Sequence, residues 1–372
     1  ATASGVGAVD LVLESAPLGA NACGTFGGAQ SLPLTAPVSQ AGLPDGCYRY
    51  TLTGSDLVGN GASVRTTVKL DRSAPTGGAV TANGTAALPG GAASTSAVTA
   101  WPLLRTDFTD AETGMTSSVL TRTSATLTGG ACGTFGGATN LTGAPTQSGL
   151  TTGCYRYTLV GTNAFTLQSS ISVTVQVDTV LPTSGAVTVN GIPASGAGSK
   201  SNNKTGSVVV SGFAHYTDAN IGIASSTLTR SYAPLTAGVC GTYDGGTVIA
   251  GNGTLTGLPD GCHRFTLTGT DLAGNTTSIS TVVWVDTTAP TGGTLVVNAV
   301  EGSSAGTLSW SPDNAWDAVW SHFTDAESGV ATVVLARSFN TLAAGPCAAT
   351  WGPPPNPVPP LTPPTGTPAQ TA

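Results

Sequence analysis

A block of about 108 residues recurs along the chain, and that period limits the possible folds more than any other feature. The string CGTFGG at Cys23 returns as CGTFGG at Cys132, CGTYDG at Cys240 and CAATWG at Cys347, at steps of 109, 108 and 107 residues. GCYRYTL at Cys47 returns at Cys154, and again as GCHRFTL at Cys262. The run that begins at Asp71 matches runs at Asp178 and Asp286, and FTDAETG, YTDANIG and FTDAESG put Asp110, Asp218 and Asp325 in equivalent places. Solenoids repeat at about 20 to 50 residues, so this block is long enough to be one whole small β domain.

Inside each block the apolar residues alternate. Every second residue of Ile171-Ser-Val-Thr-Val-Gln-Val177 is apolar, and Val64 to Leu70 follows the same scheme with Thr66 in one apolar place. In Tyr48-Arg-Tyr-Thr-Leu52 the large residues share one face, which leaves Cys47, Arg49 and Thr51 on the other. Such strands, separated by Gly, Pro, Asn and Asp, predict antiparallel β-sandwiches. Abundant Thr and Val suit a pleated, half-buried surface, and no segment carries a sustained helical stripe. The fold class is all-β: tandem immunoglobulin-like antiparallel sandwiches, expected to be held end to end as a semi-rigid rod by short proline-containing linkers.

The register of the repeat divides the chain into residues 1–71, an incomplete block lacking its opening strands; 72–178 and 179–286, two complete blocks; and 287–372, an incomplete block with a proline-rich end. The chain begins without a start methionine or a signal-peptide pattern, and is expected to be a mature segment or a fragment. Only 8% of residues are charged, the net charge is −7 and the 12 Lys and Arg are scattered, so a phosphate-tracking nucleic-acid surface is excluded. Forty per cent apolar content also excludes the composition of a disordered chain, and no apolar run is long enough to span a membrane as a helix.

Two further motifs carry a family resemblance. A strand that ends in Val285-Asp-Thr-Thr-Ala-Pro290 follows a hairpin reading Gly269-Thr-Asp-Leu-Ala-Gly-Asn275. This pairing resembles the bacterial immunoglobulin-like repeats found in tandem in secreted and surface proteins, including large adhesins. Asp45-Gly-Cys-Tyr48 and Asp260-Gly-Cys-His263 resemble that family's turn into strand F, where a tyrosine usually sits at the corner. The chain departs from the pattern twice: Asn163-Ala-Phe-Thr-Leu167 stands where the family has Asp-x-Ala-Gly-Asn, and His263 replaces the corner tyrosine.

Six of the seven cysteines fall into one pair per block, which predicts the disulfides Cys23–Cys47, Cys132–Cys154 and Cys240–Cys262. Metal ligation by cysteine fits poorly, because no Cys-x-x-Cys occurs. Each pair closes a loop of about two dozen residues, which contributes about 3 kcal/mol in the chain-entropy model. With Cys47 on the face opposite Tyr48, the bond is expected outside the core, clamping a surface loop to a strand. Disulfides imply an oxidising compartment, hence a secreted or cell-surface location. Cys347 is left unpaired within this segment, its partner falling where the next half-block would be.

Enzyme signatures are sparse. His215, His263 and His322 form no His-x-x-x-His or His-Glu pair, and Gly191 to Ser201 lacks the spacing of a phosphate loop. No catalytic residue or organic cofactor is expected. The acidic loop residues are the candidate site, because the B–C and F–G loops of such a sandwich crowd the pole where the chain enters from the preceding block. Asp71 would lie near Asp107, Asp110 and Glu112; Asp178 near Asp218 and Asp271; and Asp286 near Asp325 and Glu327. Clustered hard oxygen ligands suit Ca²⁺, and the family resemblance implies linker calcium; Asp and Asn are equally ordinary turn residues. Trp101, Trp316 and Trp320 are expected in core or junction packing. Trp284, out of phase with Val283 and Val285, faces away from the core, either as a contact point for another chain or packed under a loop.

These features describe a non-enzymatic extracellular structural protein, a disulfide-clamped stalk or a fibre or filament subunit on a bacterial surface. The alternatives are the stalk of an adhesin whose binding tip lies elsewhere, and a carbohydrate-binding accessory module of a secreted enzyme. The partners implied are neighbouring repeats or copies of the chain itself, with a host or matrix surface as a further candidate.

Overall fold

The computed structural model describes residues 5–143, 145–312 and 316–338; Cys347 and the proline-rich end lie outside them. Every regular element among the described residues is a β-strand. The chain forms two compact units. One comprises Ala1–Ala186, Phe213–Leu228 and Leu267–Ile279; the other comprises Val187–Gly212, Thr229–Thr266 and Ser280–Ala372.

The first unit contains the whole of 72–178, and there the period-two pattern becomes a sandwich. A three-stranded sheet runs in the order Leu103–Thr106, Ala79–Ala82, Thr85–Ala86. The facing sheet runs Gly136–Leu141, Met115–Ala125, Gly153–Asn163, Gln168–Val177, Ala92–Ser96, and its last pairing is parallel. This order, with a parallel strand added at the edge, is immunoglobulin-like. Val80, Ala82, Trp101, Leu103 and Phe108 meet Leu120, Tyr157, Leu159, Ile171, Val173, Val175 and Val177 in one core. The Val, Leu, Ile and Phe side chains among these each contribute about 1.5–3 kcal/mol once fully buried. Trp101 stands edge-on to Tyr157, and burial pushes the Tyr157 hydroxyl up to about 12.

Phe108, which opens the FTDAETG loop, is fixed by glycines. A Cβ at Gly78 or at Gly161 would come within 2.6 Å of its ring or its own Cβ. Tyr216 is held in the same way between Gly185 and Gly269, where an added Cβ would lie 2.5 Å from the ring. The aromatic residue lies flat over bare backbone, and the acidic loop that follows is placed by it.

Residues 6–70 of the first unit form a four-stranded sheet in the order Gly27–Ser31, Val6–Ala16, Gly46–Asp56, Gly61–Leu70. Its central register repeats that of 153–163 with 168–177: Cys47 faces Lys69 as Cys154 faces Gln176. One face differs, however, because Leu52, Val64 and Val68 are exposed where Leu159, Ile171 and Val175 are buried. Among the described residues no second sheet covers that face.

In the second unit Lys200–Asn203 runs parallel to Val282–Val285, the counterpart of the parallel edge strand above. Thr294–Val297 pairs antiparallel with Ala318–Ser321. Val283 and Val285 are fully buried and Trp284 is not, as the alternation requires. Of the three tryptophans expected in core or junction packing, Trp101 is a core residue, whereas Trp316 is 53% exposed and Trp320 half-buried.

Candidate cation site and inter-repeat clasp

All three predicted disulfides form, with Cα separations of 5.7 to 5.8 Å. They lie outside the sandwich core. Cys154 packs with Leu127 and Ile221 in a separate small cluster, and Cys262 with Ala233 and Leu235. Each bond ties a two-residue hairpin to a long strand. The hairpin tips are Ala20-Asn21, Gly129-Gly130 and Ala237-Gly238, all with positive φ, as a tight type I′ turn requires.

Those tips hold the next block's acidic loop. Ala20 and Asn21 donate backbone N–H groups to the carbonyls of Ala111 and Glu112 at 3.0 and 2.9 Å. Gly129 and Gly130 donate to Ala219 and Asn220, both at 2.8 Å, and Ala237 and Gly238 to Ala326 and Glu327, both at 2.9 Å. A long side chain braces each hairpin, at a tip carbonyl in the first two and at the cysteine in the third. Lys69 donates to the Asn21 carbonyl at 2.6 Å, Gln176 to that of Gly130 at 2.9 Å, and Trp284 Nε1 to Cys240 Sγ at 3.1 Å. Trp284 is half-buried against the cluster of Ala233, Leu235 and Cys262, with the Lys200 ammonium over its ring. Arg49, Arg156 and Arg264 stack on Phe26, Phe135 and Tyr243 beside the same hairpins, at 4.0 to 4.2 Å from the ring centroids. Alternation on one strand made the outward direction of Trp284 legible; its contact with the hairpin of another segment was not.

The acidic residues meet at three joints. In each, one carboxylate oxygen serves the local turn. Asp71, Asp178 and Asp286 accept from the backbone N–H two residues on, at 2.9, 2.9 and 3.1 Å. Asp110, Asp218 and Asp325 accept from N–H groups of their own loops, as does Asp271. The joints differ in what meets the remaining oxygens.

At the first joint Thr113 Oγ1 donates to Asp71 Oδ2 at 2.7 Å. The Asn163 amide donates to Asp71 Oδ2 and Asp110 Oδ2, each at 3.1 Å, and to the Ser73 carbonyl at 3.2 Å. Burial pushes the Asp110 carboxyl up, but hydrogen bonds from Thr113 and Asn163 outweigh it and hold the group below its ordinary range. Asp107 is not part of this group, which corrects the sequence expectation. The Arg105 guanidinium two residues back and the Ser118 hydroxyl hold it on the surface, and the Ser118 hydrogen bond is the first cause of its lowered pKa. Glu112 takes part through its backbone carbonyl in the clasp.

The second joint brings together Asp178, Asp218 and Asp271, with a carboxylate oxygen of each within 4.8 Å of the others. Ile221 replaces the hydroxyl of Thr113 and packs on Leu127 and Cys154 instead. Asp178 is fully buried, and its Oδ2 has no hydrogen-bond partner. Burial pushes its carboxyl up, and the charges of Asp218 and Asp271 act in the same direction. No ion pair to any of the three is present among the described residues. Three hard oxygen donors, one of them from an unsatisfied buried carboxylate, fit a divalent cation of the Ca²⁺ type.

The third joint gathers Asp286, Asp325 and Glu327 within the same distance, in a more open setting. Burial pushes Asp286 up, but Ser328 and Thr288 hydrogen bonds prevail and lower it. Thr288 Oγ1 also donates to Glu327 Oε2 at 3.2 Å.

Enzyme-like strings are turns. Ser195 and Ser199 of the glycine-rich segment bond the carbonyls of Gly198 and Pro193. A Gly-x-Ser-x-Gly string at Gly302–Gly306 forms a turn in which the Ser303 hydroxyl donates to the Gly306 carbonyl. It follows a two-residue strand and leads into no helix, so it lacks the setting of a hydrolase elbow.

No protein-family model matches the chain, and no curated protein matches it. Among solved structures it is similar to a tetra-tandem repeat from the extending region of a large adhesion protein, at 15% identity over 86% of this chain and 82% of that one, with a TM-score of 0.28. Protocadherin gammaB7 EC3-6 is 12% identical over 82% of this chain and 74% of that chain, with a TM-score of 0.20. The human desmocollin-1 ectodomain is 11% identical over 66% and 48%, with a TM-score of 0.16. Likeness at these scores carries no weight for function.

Proposed function

We propose that this chain is a non-enzymatic, extracellular spacer, a stalk segment whose working parts are the joints between its repeats. The observation that carries this reading is the clasp that recurs three times: a disulfide-tied hairpin whose two tip amides grip the next acidic loop. Domains that merely follow one another need no such device, and flexible linkers are its opposite. Disulfides support an oxidising, extracellular setting. The partners of each repeat are first of all its neighbours.

Calcium belongs to the same reading. Asp178, Asp218 and Asp271 would hold it at the second joint, and it would supply the positive charge that the three carboxylates, two of them buried, lack. Binding to the folded state alone stabilises by about 2.7 kcal/mol at a hundredfold excess over Kd.

Calorimetry and small-angle X-ray scattering of the whole chain, in Ca²⁺ and in EDTA, test both parts. Ca²⁺ should raise the unfolding temperature, and Asp178→Asn should abolish that rise while leaving the EDTA value equal or higher. Scattering mass should stay monomeric as concentration rises. Concentration-dependent growth would instead make the chain a filament subunit, and an unfolding temperature indifferent to Ca²⁺ would remove the cation from the joint.

A further inference from the structure

The first and second joints are built on one plan, yet they solve the same electrostatic problem in different ways. Asp71 corresponds to Asp178 and Asp110 to Asp218, and the residue opposite is Asn163 in one and Asp271 in the other. A carboxylate can only accept hydrogen bonds, whereas an amide nitrogen carries two donors. At the first joint those two donors are shared among three acceptors, Asp71 Oδ2, Asp110 Oδ2 and the Ser73 carbonyl. Asn163 meanwhile keeps the turn-forming role of the aspartate, its Oδ1 accepting from Phe165 and Leu167 at 3.0 and 2.9 Å.

At the second joint Asp271 performs the turn role, with Ala273, Gly274 and Asn275 donating to its Oδ1. It has nothing to donate to Asp178. Asp178 Oδ2 is left buried and unpartnered at 0% residue exposure. The orphan at one joint is therefore the counterpart of the atom that the Asn163 amide and the Thr113 hydroxyl satisfy at the other.

We propose that Asn163 is a built-in substitute for a bound cation: it closes the Asp71–Asp110 joint without metal, so that the chain carries one cation-independent joint beside a cation-dependent one at Asp178. The second half of this statement rests on the calcium reading above; the first half does not. Two exchanges separate the joints, Asn163 for Asp271 and Thr113 for Ile221, and of the two the Asn163 amide is the one that reaches both Asp71 Oδ2 and Asp110 Oδ2. A stalk with this arrangement keeps its first joint closed when calcium falls and loosens at the second.

Titration calorimetry of the EDTA-stripped whole chain with CaCl₂ tests the proposal through stoichiometry. Asn163→Asp gives the first joint three facing carboxylates like those of the second, with Thr113 retained, and should bind one Ca²⁺ more than the unaltered chain. It should also unfold earlier in EDTA and recover in Ca²⁺. Asp271→Asn should bind one Ca²⁺ fewer, its new amide satisfying Asp178 Oδ2. An Asn163→Asp chain that folds and gains no site overturns the proposal, even if Asp271→Asn loses one and the calcium reading stands. If the unaltered chain binds nothing while Asn163→Asp binds one ion, the role of Asn163 stands and the calcium reading of the second joint falls. Should Asn163→Asp fail to fold even in Ca²⁺, Asp271→Asn decides alone: undiminished Ca²⁺ binding by that variant sinks the idea.

Discussion

At the scale of single residues, His263 shows how one position in the repeat can take a different side chain and keep its hydrogen bond. Tyr48 donates its hydroxyl to the Pro44 carbonyl at 2.6 Å, and His263 places Nε2 at 2.9 Å from the Pro259 carbonyl. A carbonyl only accepts, so Nε2 carries the proton and the buried Nδ1 is bare and unpartnered. Burial is the first cause that lowers its pKa below 6.5. The neutral form is favoured in the folded state, so the contribution to stability is full above about 6.5 and is lost as pH falls below it, where the unfolded chain takes up the proton first. His263→Tyr should flatten that loss. Denaturant midpoints at pH 7.5 and pH 5 measure it, and an unchanged pH dependence in the variant would assign the loss to other groups.

At the scale of elements, the hairpin, the disulfide and the glycine-bedded aromatic act together on one loop. Cys132→Ser with Cys154→Ser should cost about 3 kcal/mol in denaturant stability. It should also speed hydrogen exchange of the Gly129 and Gly130 amides, because their bonds to Ala219 and Asn220 depend on a hairpin no longer tied down. Slower or unchanged exchange at those amides would mean that the hairpin holds its shape without the bond. The same logic explains why the acidic loops come to lie where they do. The Tyr216 ring needs the bare backbone at Gly185 and Gly269, and Asp218 follows it by two residues.

At the scale of the whole molecule, equivalent positions have different values according to what covers them. Val68 and Val175 occupy the same place in the repeat, one 50% exposed and the other fully buried. Val175→Thr places an unpaired hydroxyl in the core and should cost about 1–3 kcal/mol. Val68→Thr should stay within about 0.5 kcal/mol. Chemical unfolding of the two variants checks this, and equal losses would show that something covers the 46–70 strands in solution. The complete repeat at 72–178 shows what such a cover provides: a valine-rich core of low charge, closed by the facing sheet.

The all-β class, the alternating faces, the three disulfides and the shared inward face of Ile171, Val173, Val175 and Val177 were legible in the sequence. Alternation and a 108-residue period are local or repeated signals, and repetition multiplies weak ones. The grouping of Asp178, Asp218 and Asp271 was legible as well, since loops at one pole of a sandwich must converge. Which carboxylates would be spent was not. Arg105 draws Asp107 away through a contact set by side-chain reach, and Ile221 turns from its joint toward a disulfide that only the fold brings beneath it. The exchange of Asn163 for aspartate was visible as a departure from pattern, but its meaning depends on distances of 3.1 Å to two carboxylates, 92 and 53 residues away in sequence. Sequence periodicity determined the strands and the cysteine pairs; tertiary structure alone decided the joints, because a hydrogen bond or an orphaned oxygen exists only once distant segments have been brought within reach.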